Sequence, residues 1–151
     1  MREIIFIDET AFLALNDKDD PNYSEAVGFV KSLLNQTVKL TTSFLVLLEA
    51  ASELKKRKGF FAAKRFLEFF KTEGIEVLTE NSSIRKEAEE CFLKTGNQKE
   101  VGMPACHHVA TMHYYNIRKI FSFSLDYDSL ETIRVPRNSF NKGVVNHVTK
   151  G

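Results

Sequence analysis

The 151-residue chain predicts a three-layer α/β/α sandwich on a mainly parallel sheet of about five strands. Two observations carry that expectation. Ile4-Ile5-Phe6-Ile7 is a short, continuously apolar run rich in β-branched residues, the composition of a strand buried on both faces. Behind it, further short runs of this kind alternate with longer stretches whose apolar residues recur at helical spacing, as in a chain that links parallel strands through helices. No repeat, low-complexity block or Pro/Gly-rich linker interrupts this order, so one domain over residues 1–140 is expected, with a loosely held tail over 141–151.

Taken in order, the first strand ends at Asp8, and a helical segment can start at Thr10. Asp20-Pro21 reads as an N-cap with proline at the first helical position, and Ala26, Phe29, Val30, Leu33 and Leu34 follow at helical spacing. Val38 to Thr41 is a second strand, ending at Thr42-Ser43, where a helix carrying Phe44 to Leu54 begins and runs into Lys55-Lys56-Arg57-Lys58. Gly59 separates it from a helix with Ala63, Phe66, Leu67 and Phe70 on one face, closed by Gly74. Ile75 to Leu78 is a third strand, and Asn81-Ser82-Ser83 caps a helix with Ile84, Ala88, Cys91 and Phe92 on its apolar face. After a polar loop over residues 97–102, Pro104 opens a helix to about Tyr115; Lys119 to Phe123 and Thr132 to Val135 are the last strands.

Composition narrows the function classes. The net charge of +1 neither implies nor excludes an anionic partner, and no stretch reaches the ~18 apolar residues of a membrane span. With no targeting pattern at the N-terminus, a cytoplasmic protein is expected, and Cys91 and Cys106 read as reduced core thiols. There is no Gly-rich phosphate loop, zinc signature or Ser/His/Asp order.

In an open parallel sheet the working crevice lies beyond the carboxyl ends of the strands, which directs attention to Asp8, Thr42-Ser43 with Glu49, and the residues after Phe123. An aspartate closing a buried strand is costly to desolvate unless it meets a cation or several donors, so Asp8 is either a ligand or a helix N-cap. Glu49 interrupts the apolar run Phe44 to Leu48 and is either a structural ion-pair partner or a metal ligand.

Together these segments resemble the PIN-domain family, including the VapC-type toxins of toxin–antitoxin pairs. Ile5 to Thr10 is similar to that family's opening strand, ending in Asp with a small polar residue two positions later. Thr42 to Glu49 resembles its strand-end Thr-Ser and the helix bearing the second acid; Ala105 to Ala110 resembles the helix that opens with the third; Asn116 to Phe123 resembles the step before the fourth. The resemblance spans about residues 4 to 136. It implies a site for Mg²⁺ or Mn²⁺, with Asp8 and Glu49 as ligands, Thr10 supporting them through its hydroxyl, and RNA as substrate. Two positions depart from it: Ala105 stands in place of the third acid and Ser124 in place of the fourth. Fewer carboxylates weaken binding of a hard cation, unless Asp126 or Asp128 swings in. Glu9 is expected to point away, because successive strand residues face opposite sides.

Of the adjacent His107 and His108 at most one can face the crevice; His108, one turn beyond Ala105, is the candidate, although the expectation is a partly buried helix histidine with a hydrogen-bond partner. His113 and His147 read as structural or exposed. The basic run at 55–58 reads as the solvated end of a helix rather than an RNA contact. Thirteen phenylalanines exceed the needs of a small core, so some can pack in a homodimer or against an antitoxin-like protein. The leading expectation is a Mg²⁺- or Mn²⁺-dependent endoribonuclease with a partly lost acid cluster, using Asp8, Glu49 and Asp126. The alternatives are a catalytically inactive PIN-fold module that binds RNA or protein, and an unrelated doubly wound ligand-binding domain.

Overall fold

In a computed structural model, residues 2–137 are described. The tail expected over residues 141–151, and His147 within it, lie outside them. The elements follow as β1 (Glu3–Ile7), α1 (Glu9–Asn16), α2 (Tyr23–Leu33), β2 (Val38–Ser43), α3 (Phe44–Lys58), α4 (Phe60–Thr72), β3 (Glu76–Leu78), α5 (Ser82–Lys94), α6 (Met103–Tyr114), β4 (Lys119–Phe121), a 3₁₀ turn (Leu125–Ser129) and β5 (Ile133–Val135).

The strands form one five-stranded sheet in the order β3-β2-β1-β4-β5, every neighbouring pair parallel. The chain moves from β1 outward to β3 and then returns to the other side of β1 for β4 and β5. Because crossovers between parallel strands are right-handed, this reversal sends α1 to α4 to one face and α5 and α6 to the other. The switch point therefore lies between β1 and β4, at the end of β1 where Asp8 stands.

Phe6, Phe121, Ile5 and Ile120 fill the middle of the sheet with almost no exposed surface. Phe12 meets Phe66 edge-on at 5.3 Å between ring centroids, tying α1 to α4, while Phe29 of α2 packs on Phe121 at 4.8 Å. A smaller cluster of Ile84, Ala88 and Ala110 joins α5 to α6 on the opposite face. Gly59, at φ +93°, lets the chain turn between α3 and α4 in a conformation that side chains resist.

Most boundaries shift by a residue or two, and two of the shifts, with one added turn, have a local reason. α2 starts at Tyr23 rather than after Asp20, because the Asp20 carboxylate accepts from the Asn22 amide at 2.8 Å and from Arg57 at 2.8 Å. β4 ends at Phe121 instead of Phe123, because the Phe123 amide donates to the Thr10 hydroxyl at 2.9 Å. The 3₁₀ turn was not anticipated; Ser124 caps it, accepting from the Asp126 amide.

Both cysteines are free thiols, and burial followed by the neighbouring Cys91 pushes the Cys106 thiol up to about 12, so it stays protonated. The basic run at the end of α3 is partly neutralised: Arg57 pairs with Asp20 and Glu53, and Lys58 with Asp19 at 2.6 Å. No helix among the described residues is long and apolar enough to cross a membrane.

Candidate metal centre

Asp8 lies at the C-terminal end of β1, its backbone amide still in the sheet ladder through the Phe121 carbonyl. Its side chain caps α1, Oδ1 accepting from the Ala11 amide at 3.1 Å and from Thr10 Oγ1 at 2.7 Å. Its other oxygen accepts from Ser122 Oγ at 2.5 Å, which closes the gap to β4. The carboxyl has no exposed surface, and desolvation raises its pKa against the pull of these donors. The N-cap reading of Asp8 thus describes its local role, and Thr10 and Ser122 orient its two oxygens.

Glu9 corrects an expectation. It does not point away, because Asp8 already ends the extended backbone and Glu9 is the first residue of α1, where strand alternation no longer applies. Its Oε1 lies 3.9 Å from His108 Nε2, and Glu49 Oε1 on α3 lies 3.6 Å from the same nitrogen. Glu9, Glu49 and His108 each direct one donor atom into a group whose members lie within 4.8 Å of one another.

His108 corrects another. It is fully buried rather than partly so, and among the described residues it lacks the hydrogen-bond partner expected of a structural histidine: neither ring nitrogen finds one there, nor does the buried Oε1 of Glu49. Its ring packs on Phe6 at 5.6 Å between centroids. His107, turned to the other side of α6, bonds Glu80 at 2.7 Å, so the two adjacent histidines do serve different faces. His113 is exposed and paired with Glu87.

Asp126, in the 3₁₀ turn, is partly buried and contributes its charge to the field at Glu9 without joining the three-donor group. Asp128 does not swing in; it is held in a two-pronged pair with the buried Arg134, at 2.9 and 3.2 Å. Ala105 is buried in the first turn of α6 and places no carboxylate there.

The electrostatics record the crowding. Desolvation, and then the charges of Asp8, Glu49 and Asp126, push the Glu9 carboxyl up to about 8. Burial and the same acids raise the Tyr127 hydroxyl above the usual phenol range, so Asp8, Glu9, Glu49 and Asp126 act on one small volume. A folded-state pKa of about 8 against an unfolded value near 4.5 means that Glu9's contribution is intact below pH ~4.5. Stability is then lost as pH rises towards 8, while the unfolded carboxyl ionises and the folded one resists. In chelator-treated protein, Glu9→Gln is expected to match the wild type near pH 4.5 and to exceed it by on the order of 2 kcal/mol at pH 8.5, measured by urea unfolding. Equal stability at both pH values would remove the crowding argument.

The residues fit a divalent cation. Two ligand atoms about 2.1 Å from one ion stand about 3–4 Å apart, and the separations of 3.6 and 3.9 Å fall in that range. Orphaned buried acceptors, which folding otherwise avoids, are what a cation would satisfy.

A family model for the PIN domain matches residues 5–132. The chain belongs to the PIN-domain family. Among solved PIN-fold structures, Mycobacterium tuberculosis VapC20, a sarcin–ricin loop cleaving toxin, superposes with a TM-score of 0.75 at 21% identity, over 85% of this chain and 96% of that one. VapBC2 from Rickettsia felis, bound to a DNA fragment from its promoter, gives 0.64 at 13% identity, over 87% of this chain and 96% of that one. VapBC-1 from nontypeable Haemophilus influenzae gives 0.62 at 16% identity over the same shares, 87% and 96%. At these identities the likeness to this PIN domain is one of fold. No curated protein matches the chain in sequence.

What the sequence reading missed here are Glu9 and the unpartnered state of His108. The first had a signal: an N-cap at Asp8 makes the next residue helical. The second had none, since hydrogen-bond partners are decided by packing.

Proposed function

We propose that the chain is a divalent-metal-dependent endoribonuclease of the VapC-toxin type, acting in the cytoplasm and restrained by an antitoxin-like protein. The observation that carries this reading is the set of Glu9, Glu49 and His108 at the switch point of a PIN sheet, with Glu49 Oε1 and the His108 ring nitrogens buried and without hydrogen-bond partners among the described residues. Mg²⁺ or Mn²⁺ held there would activate water and stabilise charge on the phosphodiester. Glu9, Glu49 and His108 would hold the ion, Asp8 would add charge from below, and Thr10 and Ser122 keep Asp8 oriented. Asp126, whose charge acts on Glu9, would order waters near the ion or serve as an acid. The partner reading is supported by neighbours solved as VapBC pairs.

Cleavage of a structured RNA by the chelator-treated chain, before and after Mn²⁺ is restored, tests the proposal. Cleavage that returns with Mn²⁺ is expected; inactivity at millimolar Mn²⁺ with demonstrated metal binding would sink it. The alternative, an inactive PIN module, draws on Ala105 and on Ser124, which caps a turn and brings no acid. It is favoured if RNA is retained but not cut.

A homodimer belongs to the same proposal. Phe60 and Phe61 expose 57% and 70% of their surface at the start of α4 and stack edge-on on each other. Sedimentation at micromolar concentration should show a dimer, and Phe61→Asp should shift it to monomer by at least ~10-fold in dissociation constant. A wild-type monomer ends the dimer reading.

A further inference from the structure

The donor set at the switch point is not that of an all-oxygen site. Two carboxylates converge with one imidazole, and that imidazole is the most enclosed member: His108 has no exposed surface, whereas the Glu9 and Glu49 side chains keep 25% and 31% of theirs. A buried ring with both nitrogens unbonded gives up its hydrogen bonds to water and recovers none from the described residues. Its Nε2 is directed at the two carboxylates, yet at 3.6 and 3.9 Å it is beyond hydrogen-bond distance of either. One cation between the three atoms satisfies all of them together.

The helix register adds a second argument. His108 lies three residues beyond Ala105 on α6, so the two stand one above the other on the face turned to the sheet end. The helix that offers a methyl group at 105 offers an imidazole one turn later. Oxygen ligands and retained waters suit Mg²⁺ and Mn²⁺, whereas imidazole suits Fe²⁺, Ni²⁺, Cu²⁺ and Zn²⁺, and affinity for the first-row ions rises from Mn²⁺ to Cu²⁺ and falls again at Zn²⁺.

We infer that His108 is a direct metal ligand, standing in for the carboxylate missing at Ala105, and that it biases this centre towards imidazole-binding transition ions over Mg²⁺. The inference rests on the reading of the cluster as a metal centre. Its test is kept separate from RNA cleavage.

The full-length chain, stripped of metal, is titrated calorimetrically with Mg²⁺, Mn²⁺ and Zn²⁺ at neutral pH, as wild type, His108→Ala, His108→Asp and Glu49→Gln. Even an all-oxygen site ranks Zn²⁺ above Mg²⁺, so the change in their ratio decides. His108→Ala should lower Zn²⁺ affinity by about 10–100-fold and change Mg²⁺ affinity by less than about 3-fold. His108→Asp should narrow the ratio by raising Mg²⁺ affinity. Should these variants fail to fold, the wild type answers alone: in a ¹H–¹⁵N spectrum of the histidine rings, one equivalent of Zn²⁺ should move one ring, His108, to a metal-bound shift. Tight Zn²⁺ binding that Glu49→Gln weakens but that moves no ring, or a ratio untouched by His108→Ala, overturns the inference and leaves the metal centre standing. Absence of binding by every ion to the wild type overturns both.

Discussion

Glu49→Gln is expected to weaken Mn²⁺ binding, and any Mn²⁺-dependent RNA cleavage, by about 100-fold or more while leaving the fold intact. Glutamine has the shape of glutamate, and Glu49 lies on the partly exposed side of α3, so packing around Val46, Leu47 and Ala50 is undisturbed. What changes is charge. The buried Oε1, which has no hydrogen-bond partner among the described residues, becomes a neutral oxygen or an amide nitrogen beside His108. One formal charge is then missing from a group that already lacks carboxylates at Ala105 and Ser124. Chelator-treated Glu49→Gln should melt no lower than the wild type, because it relieves repulsion among Glu9, Asp8 and Glu49. Calorimetry with Mn²⁺ and a melting curve without metal separate the two effects. Binding equal to that of the wild type, in a folded variant, would show that Glu49 is a structural acid and nothing more.

Asp8→Ala is expected to act chiefly on stability, with a loss of about 3 kcal/mol. The substitution removes an N-cap, worth about 1 kcal/mol, and leaves the Thr10 and Ser122 hydroxyls without their acceptor in a closed site, at about 1 kcal/mol or more each. For a chain of this size the melting temperature should fall by about 6–12 °C. Relief of desolvation offsets part of this, since the Asp8 carboxyl is raised by burial. Asp8→Asn provides the contrast. Its carbonyl still accepts from Thr10 and Ala11, and Ser122 can turn to accept from the new amide, so its melting temperature should stay within about 3 °C of wild type. Both variants remove the charge beneath the metal group, so both should weaken Mn²⁺ binding. A melting temperature equally reduced in both would mean that the charge, rather than the hydrogen-bond set, holds β1 to β4.

The family and the fold class were legible in the amino-acid sequence alone. A strand buried on both faces must be continuously apolar, as Ile4 to Ile7 are, and helices packed on a sheet must repeat their apolar residues at helical spacing, as Phe66 and Phe70 do. These are local requirements, written residue by residue. Caps at Ser43 and Asn81 were legible for the same reason, since each side chain bonds an amide three residues on. The strand ends at Asp8 and Thr42-Ser43 were legible too, but the strand order that puts the switch point between β1 and β4 was not, because it depends on which strands pair.

The membership of the donor group was decided by tertiary structure. Glu9, Glu49 and His108 come from three helices, and nothing local to any of them specifies the separations of 3.6 and 3.9 Å. Asp128 and Asp126 stand two residues apart, yet one is spent on Arg134 and the other is not, because a buried guanidinium must find a carboxylate wherever the fold brings one within reach. The same holds for His108. Its neighbour His107 found Glu80, while His108 was carried into an enclosed volume where neither ring nitrogen meets a hydrogen-bond partner among the described residues. Local pattern sets which elements form; the burial they create together sets which polar atoms are left without water, and those atoms are where chemistry can be placed.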